Sequence, residues 1–167
     1  IGIVGMGRVG RAVASRAAAL GCPISYTDLQ PMSDVSHTFV ADLKQLARDS
    51  DALILAAAAD KAEAIIDASV LQALGKDGYL INVARGKLVN EADLVAALNA
   101  GEIAGAGLDV FVDEPNVPEA LFGNEQVVLQ PHRASATLQT RTRMGEMVVA
   151  SLLDSFAGKT PQGCVTG

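Results

Sequence analysis

An apolar strand that runs straight into a glycine-rich turn constrains this chain more than any other feature. Ile1-Gly2-Ile3-Val4 leads into Gly5-Met6-Gly7-Arg8-Val9-Gly10, a G-x-G-x-x-G pattern, and Arg11-Ala12-Val13-Ala14 continues as a helix. In such a unit Gly5 permits the tight turn, Gly7 lets backbone approach a pyrophosphate, and Gly10 lets the helix pack closely on the strand. The same turn presents helix N-terminal N–H groups to a dianion. Glycine-rich turns also occur as plain structural loops, so context decides. Here the context includes Asp28, eighteen residues after Gly10, which closes a second apolar strand at Pro23-Ile24-Ser25-Tyr26-Thr27.

The remaining chain alternates apolar runs with breakers in βα order, which predicts an α/β fold: a Rossmann-type doubly wound parallel sheet in three αβα layers. Helices are expected at Arg8 to Leu20, Leu43 to Arg48, Ala68 to Leu74 and Glu91 to Ala100, with a long one at Thr137 to Ala157. Asn90 is suited to cap the fourth of these, and Gly21, Gly75, Gly101 and Gly158 are suited to stop helices. After the first two strands, further strands are expected at Ala52 to Ala57, Tyr79 to Val83, Ala104 to Leu108 and Val127 to Leu129, six in all. A polar loop from Gln30 to His37 separates the second strand from the next helix. With 167 residues, half of them hydrophobic and 4% aromatic, the chain reads as one domain with close-packed small side chains.

Charge and cysteine usage narrow the function class. A net charge of -6 gives no electrostatic reason to expect nucleic acid or an anionic membrane as partner. The longest apolar run, Ala52 to Ala59, is far shorter than the ~20 residues that span a bilayer, and no signal-peptide pattern precedes the first strand. A soluble, cytoplasmic protein is expected. Cys22 and Cys164 form neither a C-x-x-C pair nor a cluster with His, so both read as reduced structural thiols and no metal site is expected. Ile1 is not an initiator methionine, and a buried parallel strand rarely begins a polypeptide, so a portion of a longer chain is expected.

In an open parallel sheet, ligands bind beyond the carboxyl ends of the strands. Polar residues fall there repeatedly: the glycine turn after the first strand, Asp28 after the second, Asn82-Val83-Ala84-Arg85-Gly86, Asp109, and Pro131-His132 after later ones. Arg85 is a fixed cation with a planar fork, suited to holding a carboxylate and polarising a neighbouring carbonyl. His132 changes charge near neutral pH and can deliver or accept a proton. Glu114, in Asp113-Glu114-Pro115, can stabilise an imidazolium. Each has a plainer reading: Arg85 as a carbonyl cap or surface pair, Glu114 as a solvated loop acid, His132 as a loop residue like His37. Taken together on one rim, a dinucleotide turn, a carboxylate clamp and a proton donor suggest hydride transfer to a 2-oxo acid.

Ile81-Asn82-Val83-Ala84-Arg85-Gly86, Ala106-Gly107-Leu108-Asp109-Val110-Phe111, Asp113-Glu114-Pro115 and Pro131-His132 follow the glycine motif in this order. On these residues the chain resembles the D-isomer-specific 2-hydroxyacid dehydrogenases along essentially its whole length. Within that family, Cys22-Pro23-Ile24-Ser25-Tyr26 and the run from Pro115 to Gly123 most resemble the glyoxylate/hydroxypyruvate and hydroxyphenylpyruvate reductases. The resemblance implies that Arg85 binds the substrate carboxylate and carbonyl, that His132 is the acid/base, and that Glu114 pairs with His132. It implies that Arg8 and Val9 meet the pyrophosphate beside Gly5, Gly7 and Gly10, and that Val83, Ala84 and Asp109 lie along the nicotinamide side, with Ala134 a further coenzyme contact. It also implies a homodimer, and a separate substrate domain built mainly from residues before the glycine motif. On that reading residues 1–167 are the dinucleotide-binding domain, and the tail from Lys159 returns toward the missing one.

Two departures stand out. Ala57-Ala58-Ala59 replaces the Pro-Leu-Thr of many members, and Arg133 after the histidine is unusual. At Asp28 a carboxylate accepts hydrogen bonds from a ribose hydroxyl and repels a 2′-phosphate, while NADP-preferring relatives tend to place Ser-Arg near this point. Leu29 and Gln30 supply no cation, so NAD(H) is the expected coenzyme. The expected activity is reduction of a small 2-oxo acid of the glyoxylate, hydroxypyruvate or aryl-pyruvate type. Phosphoglycerate dehydrogenase and the family's dinucleotide-sensing transcriptional corepressors stay open as alternatives.

Overall fold

The computed structural model describes residues 1–58 and 64–164. The chain forms two compact units, one from Ile1 to His132 and one from Arg133 onward. The first contains seven strands: β1 (Gly2–Val4), β2 (Ser25–Thr27), β3 (Thr38–Phe39), β4 (Ala52–Leu55), β5 (Tyr79–Asn82), β6 (Gly105–Leu108) and β7 (Val127–Leu129). They make one sheet in the order β3-β2-β1-β4-β5-β6-β7, with every pairing parallel. The order reverses between β1 and β4, which is where a doubly wound sheet opens its ligand crevice.

Alternation along the strands sorts side chains to the two faces. Ile3 and Tyr26 join Met6, Ala14 and Ile24 in a core under α1 (Arg8–Ala19). Val4, Leu53, Leu55 and Leu80 face the other way, into a larger core with α2 (Leu43–Arg48), α3 (Ala68–Leu74) and α4 (Glu91–Ala100). These three helices start where side chains cap them: Asp42 accepts from the N–H of Lys44, Asp67 from Val70, and Asn90 from Ala92 and Asp93. The helix α1 has no side-chain cap at its start and no acidic residue in its first turn.

The observed sheet has one strand more than the six expected. The addition, β3, is two residues long and pairs with β2 through Ser25–Thr38 and Tyr26–Phe39. Tyr26 and Phe39 also meet edge to face, with ring centroids 5.5 Å apart. The second unit carries α5 (Leu138–Phe156), capped by Thr137, whose hydroxyl accepts from the N–H of Thr140. Among the described residues, no helix is long and apolar enough to cross a membrane.

Candidate active site

The glycine turn begins at Gly5, whose φ of +92° places it in the left-handed region, and whose N–H donates to the carbonyl of Thr27 (2.9 Å). A Cβ on Gly10 would overlap the Gly5 carbonyl oxygen, so α1 can start this close to β1 only without a side chain there. At Gly7 the space is open, with no atom within 4 Å of where a Cβ would stand. Arg8 and Val9 occupy the exposed first turn of α1. Asp28, half-buried beyond β2, turns both carboxylate oxygens to backbone: Oδ2 accepts from Met6 N–H and Oδ1 from Leu29 N–H, each at 2.7 Å. It therefore holds the glycine turn directly.

Asn82 closes β5 and is buried. Its Oδ1 accepts from Ala84 N–H and its Nδ2 donates to the Arg85 carbonyl, both at 3.0 Å, which folds the backbone into the turn that displays Arg85. The carbonyl of Asn82 accepts from Asp109 N–H (3.0 Å), tying the ends of β5 and β6 together. Val83 is exposed, while Ala84 and Asp109 are buried. Arg85 donates through Nη1 to the Ala84 carbonyl (2.7 Å), one of the five N–H groups a guanidinium carries. Gly86 follows at the start of a short 3-10 turn, Gly86–Leu88, and lies against the backbone of Phe111 and Val112 where no Cβ fits. Two carboxylates then fix the facing segment. Glu91, in the first turn of α4, accepts from Val112 N–H (2.8 Å), and Glu114 Oε1 accepts from Phe111 N–H (3.0 Å).

Glu114 Oε2 stands 2.7 Å from His132 Nδ1. This pair holds the Glu114 carboxyl below its ordinary range, chiefly through the His132 hydrogen bond and then through Phe111 N–H, with a smaller contribution from the Arg85 charge; burial opposes them. His132 has φ +49°, an uncommon backbone for a residue with a side chain. With Nδ1 turned to Glu114, Nε2 is the ring nitrogen through which a proton can be exchanged. Arg85, Gly86, Lys87, Phe111, Val112, Glu114 and His132 line one cleft of about 480 Å³. It is a site where an anion can be clamped beside a proton donor.

Arg85, Glu114 and His132 are thus brought together from loops after β5, β6 and β7. Gly5, Gly7, Arg8, Val9, Gly10 and Asp28 gather at the carboxyl ends of β1 and β2, on the same rim of a parallel sheet. Ala134 and Arg133 belong to the second unit. Ala57 and Ala58 follow β4, Ala57 against Gly5, while Ala59 lies outside the described residues. Sequence reasoning missed Asn82 as an organising residue, although a polar side chain ending an apolar strand was a signal for it. It also missed Glu91, which nothing in its own neighbourhood marks as reaching Val112.

Residues 1–134 match the family described as D-isomer specific 2-hydroxyacid dehydrogenase, NAD binding domain. Among similar proteins, glyoxylate/hydroxypyruvate reductase A of Arabidopsis thaliana is 45% identical over 161 residues, 96% of this chain and 51% of the relative. Hydroxyphenylpyruvate reductase of Plectranthus scutellarioides is 47% identical over 160 residues, 95% of this chain and 51% of the relative. The crystal structure of an NADPH-dependent glyoxylate/hydroxypyruvate reductase from Sinorhizobium meliloti, in complex with citrate, superposes with a TM-score of 0.91 at 45% identity, covering 97% of this chain and 52% of that one. Another of the same protein holds NADP and malonate and gives a TM-score of 0.88 at 46% identity, covering 93% of this chain and 49% of that one. The chain spans about half the length of each of these relatives. Its Rossmann-like sheet, its paired site loops and these matches over nearly all its residues make it a member of the D-isomer specific 2-hydroxyacid dehydrogenase family.

Proposed function

We propose that this chain is the coenzyme domain, residues 1–167, of an NAD-dependent reductase of small 2-oxo acids, of the glyoxylate, hydroxypyruvate or aryl-pyruvate type. The observation that carries the proposal is the meeting of Arg85 with the Glu114–His132 pair on one cleft. NADH, when bound, supplies the hydride. The Arg85 fork is suited to hold the substrate carboxylate and to withdraw charge from the carbonyl. His132, held through Nδ1, gives a proton from Nε2 to the carbonyl oxygen as it becomes a hydroxyl, and takes it back in the reverse direction. Glu114 keeps the ring oriented and offsets the positive charge it carries when protonated. The half-length coverage of the relatives supports reading the chain as one domain of such an enzyme.

The residues present fit a dinucleotide. The start of α1 is uncapped by any side chain, the space over Gly7 is open, and Asp28 stands beside the turn. Arg8 and Val9, in the turn that Gly5, Gly7 and Gly10 permit, would hold the pyrophosphate through backbone N–H groups, and Asp28 a ribose hydroxyl; Val83, Ala84 and Asp109 would line the nicotinamide side. Each Asp28 oxygen already accepts one N–H, and a carboxylate oxygen has capacity for a further donor. The same charge repels a 2′-phosphate, and Leu29 beside it is fully exposed and carries no cation. Coenzyme choice is therefore where we separate this chain from its NADPH-dependent relative in Sinorhizobium meliloti. The reading extends to a homodimer, as the family resemblance implies, and, from composition and cysteine spacing, to a cytoplasmic protein with no disulfide joining Cys22 to Cys164.

The intact protein should reduce glyoxylate, hydroxypyruvate or an aryl-pyruvate with higher kcat/KM for NADH than for NADPH, and the opposite order would sink the NAD assignment. Replacing the proton donor, His132→Ala, should lower kcat by about 10² to 10⁴ while leaving NADH affinity nearly intact. A near-normal rate removes His132 from the mechanism.

A further inference from the structure

Arg11, the residue after the last glycine of the turn, makes four hydrogen bonds from one guanidinium: Nε to the Met6 carbonyl (3.1 Å), Nη1 and Nη2 to the two oxygens of Asp34 (2.9 and 3.0 Å), and Nη2 to Met32 Sδ (3.0 Å). We propose that Arg11 is a positioning residue that locks the loop at 29–37 to the glycine turn, and so pre-forms the corner that receives the coenzyme's ribose beside Asp28. This inference rests on the coenzyme reading above and goes beyond it, since neither Arg11 nor Asp34 belongs to the site described there.

Three observations point the same way. First, Met6 sits between Gly5 and Gly7 and is gripped from both sides, its N–H by Asp28 and its carbonyl by Arg11. The two grips fix the peptide units that a pyrophosphate would meet. Second, the loop at 29–37 has no strand or helix of its own; besides Arg11 it is held by Leu29 N–H on Asp28 (2.7 Å), by Met32 N–H on the Tyr26 hydroxyl (2.8 Å) and by the packing of Met32 and Val35 on the core under α1. To that packing Arg11 adds hydrogen bonds from α1 to Met32 and Asp34. Third, the Arg11–Asp34 pair is exposed, at 40% and 70%, so it adds little to global stability; its effect is on where the loop stands. A loop ordered before binding spares the coenzyme the entropy of ordering it.

The geometry demands arginine. A planar fork can engage both oxygens of Asp34 while Nε reaches the turn carbonyl, whereas an ammonium is a point donor that can satisfy one end at a time.

The test compares the intact protein with Arg11→Met, Arg11→Lys and Asp34→Asn, the last breaking the fork from the loop side without touching α1. In coenzyme-free protein, amide hydrogen exchange in residues 29–37 should quicken about tenfold or more in all three, with exchange in β1 and β4 unchanged. Calorimetric Kd for NADH should rise about tenfold, and the kinetic loss should fall on KM for NADH rather than on kcat. Unchanged exchange in the loop overturns the proposal, and so does a lysine variant that behaves as the parent, because charge alone would then suffice. The exchange measurement needs no coenzyme: a parent protein that fails to bind NADH overturns the coenzyme reading alone, while the loop amides still decide whether the clamp exists.

Discussion

At Glu114 a single side chain serves two masters, since Oε1 holds the Phe111 N–H and Oε2 holds His132. Both partners favour the ionised carboxylate, so its folded-state pKa lies below the ordinary value of 4.5. The sign of the consequence follows from proton linkage. Between the depressed and the ordinary value the unfolded chain binds more protons than the folded one, so stability from these contacts is present above about 4.5 and lost as pH falls through the folded value. Glu114→Gln abolishes that titration. The melting temperature of the parent should exceed that of Glu114→Gln near neutrality, and the gap should narrow as pH falls below about 4.5 and through the depressed folded value. Because the side chain is 35% exposed, screening keeps the effect modest. A gap that stays constant across that range would show that the carboxylate is not held by these partners. His132 adds a separate signature, since its φ of +49° costs on the order of 1 kcal/mol that the surrounding loop must offset.

Between elements, glycines decide how near two backbones come. Gly10 lets α1 start against β1, and Gly86 lets the Arg85 turn lie on the Phe111–Val112 backbone. A methyl group at either place has only main chain to push against, so each alanine variant should lose about 1–3 kcal/mol of stability by overpacking. Their effects on function should part. Gly10→Ala shifts the dinucleotide turn and should raise KM for NADH, whereas Gly86→Ala separates Arg85 from His132 and should lower kcat/KM for the 2-oxo acid at saturating NADH by about tenfold or more. Steady-state kinetics with each substrate varied in turn would check this, and equal losses in both variants for both substrates would refute it. The elements themselves were largely legible in the sequence. The helices α2, α3 and α4 begin and end at the expected residues because caps at Asp42, Asp67 and Asn90 are written locally. The strand β3 was not legible, because two residues carry no periodicity and become a strand only by pairing with β2. The cleft was legible in Arg85, Glu114 and His132, which follow three different strands. Its scaffolding in Asn82 and Glu91 was not, and neither were the contacts of Arg11 at the glycine turn, because their partners are backbone groups and a loop carboxylate delivered by packing.

For the molecule as a whole, parallel pairing throughout the sheet sends the glycine turn, Asp28, Arg85, Asp109 and His132 to one rim, and the electrostatics there must work against the rest of the chain. A net charge of -6 disfavours any anion at long range. Binding of an anionic coenzyme therefore has to come from short-range donors, and these discriminate by shape and charge at each contact. On the proposed coenzyme reading, the uncapped start of α1 would accept a pyrophosphate from either coenzyme, whereas the Asp28 carboxylate would admit a ribose hydroxyl and repel a phosphate in its place. The difference should be visible without turnover. A ligand present at a hundred times its Kd stabilises the folded state by about 2.7 kcal/mol, which for a domain of this size raises the melting temperature by roughly 5–10 °C. NADH at a fixed concentration should produce a shift of that order once saturating, and NADPH at the same concentration a smaller one. In Asp28→Ala the two shifts should converge, since the repulsion is removed together with the hydroxyl acceptor. Equal shifts in the parent protein, or a larger one with NADPH, would mean that residues other than Asp28 govern the choice of coenzyme.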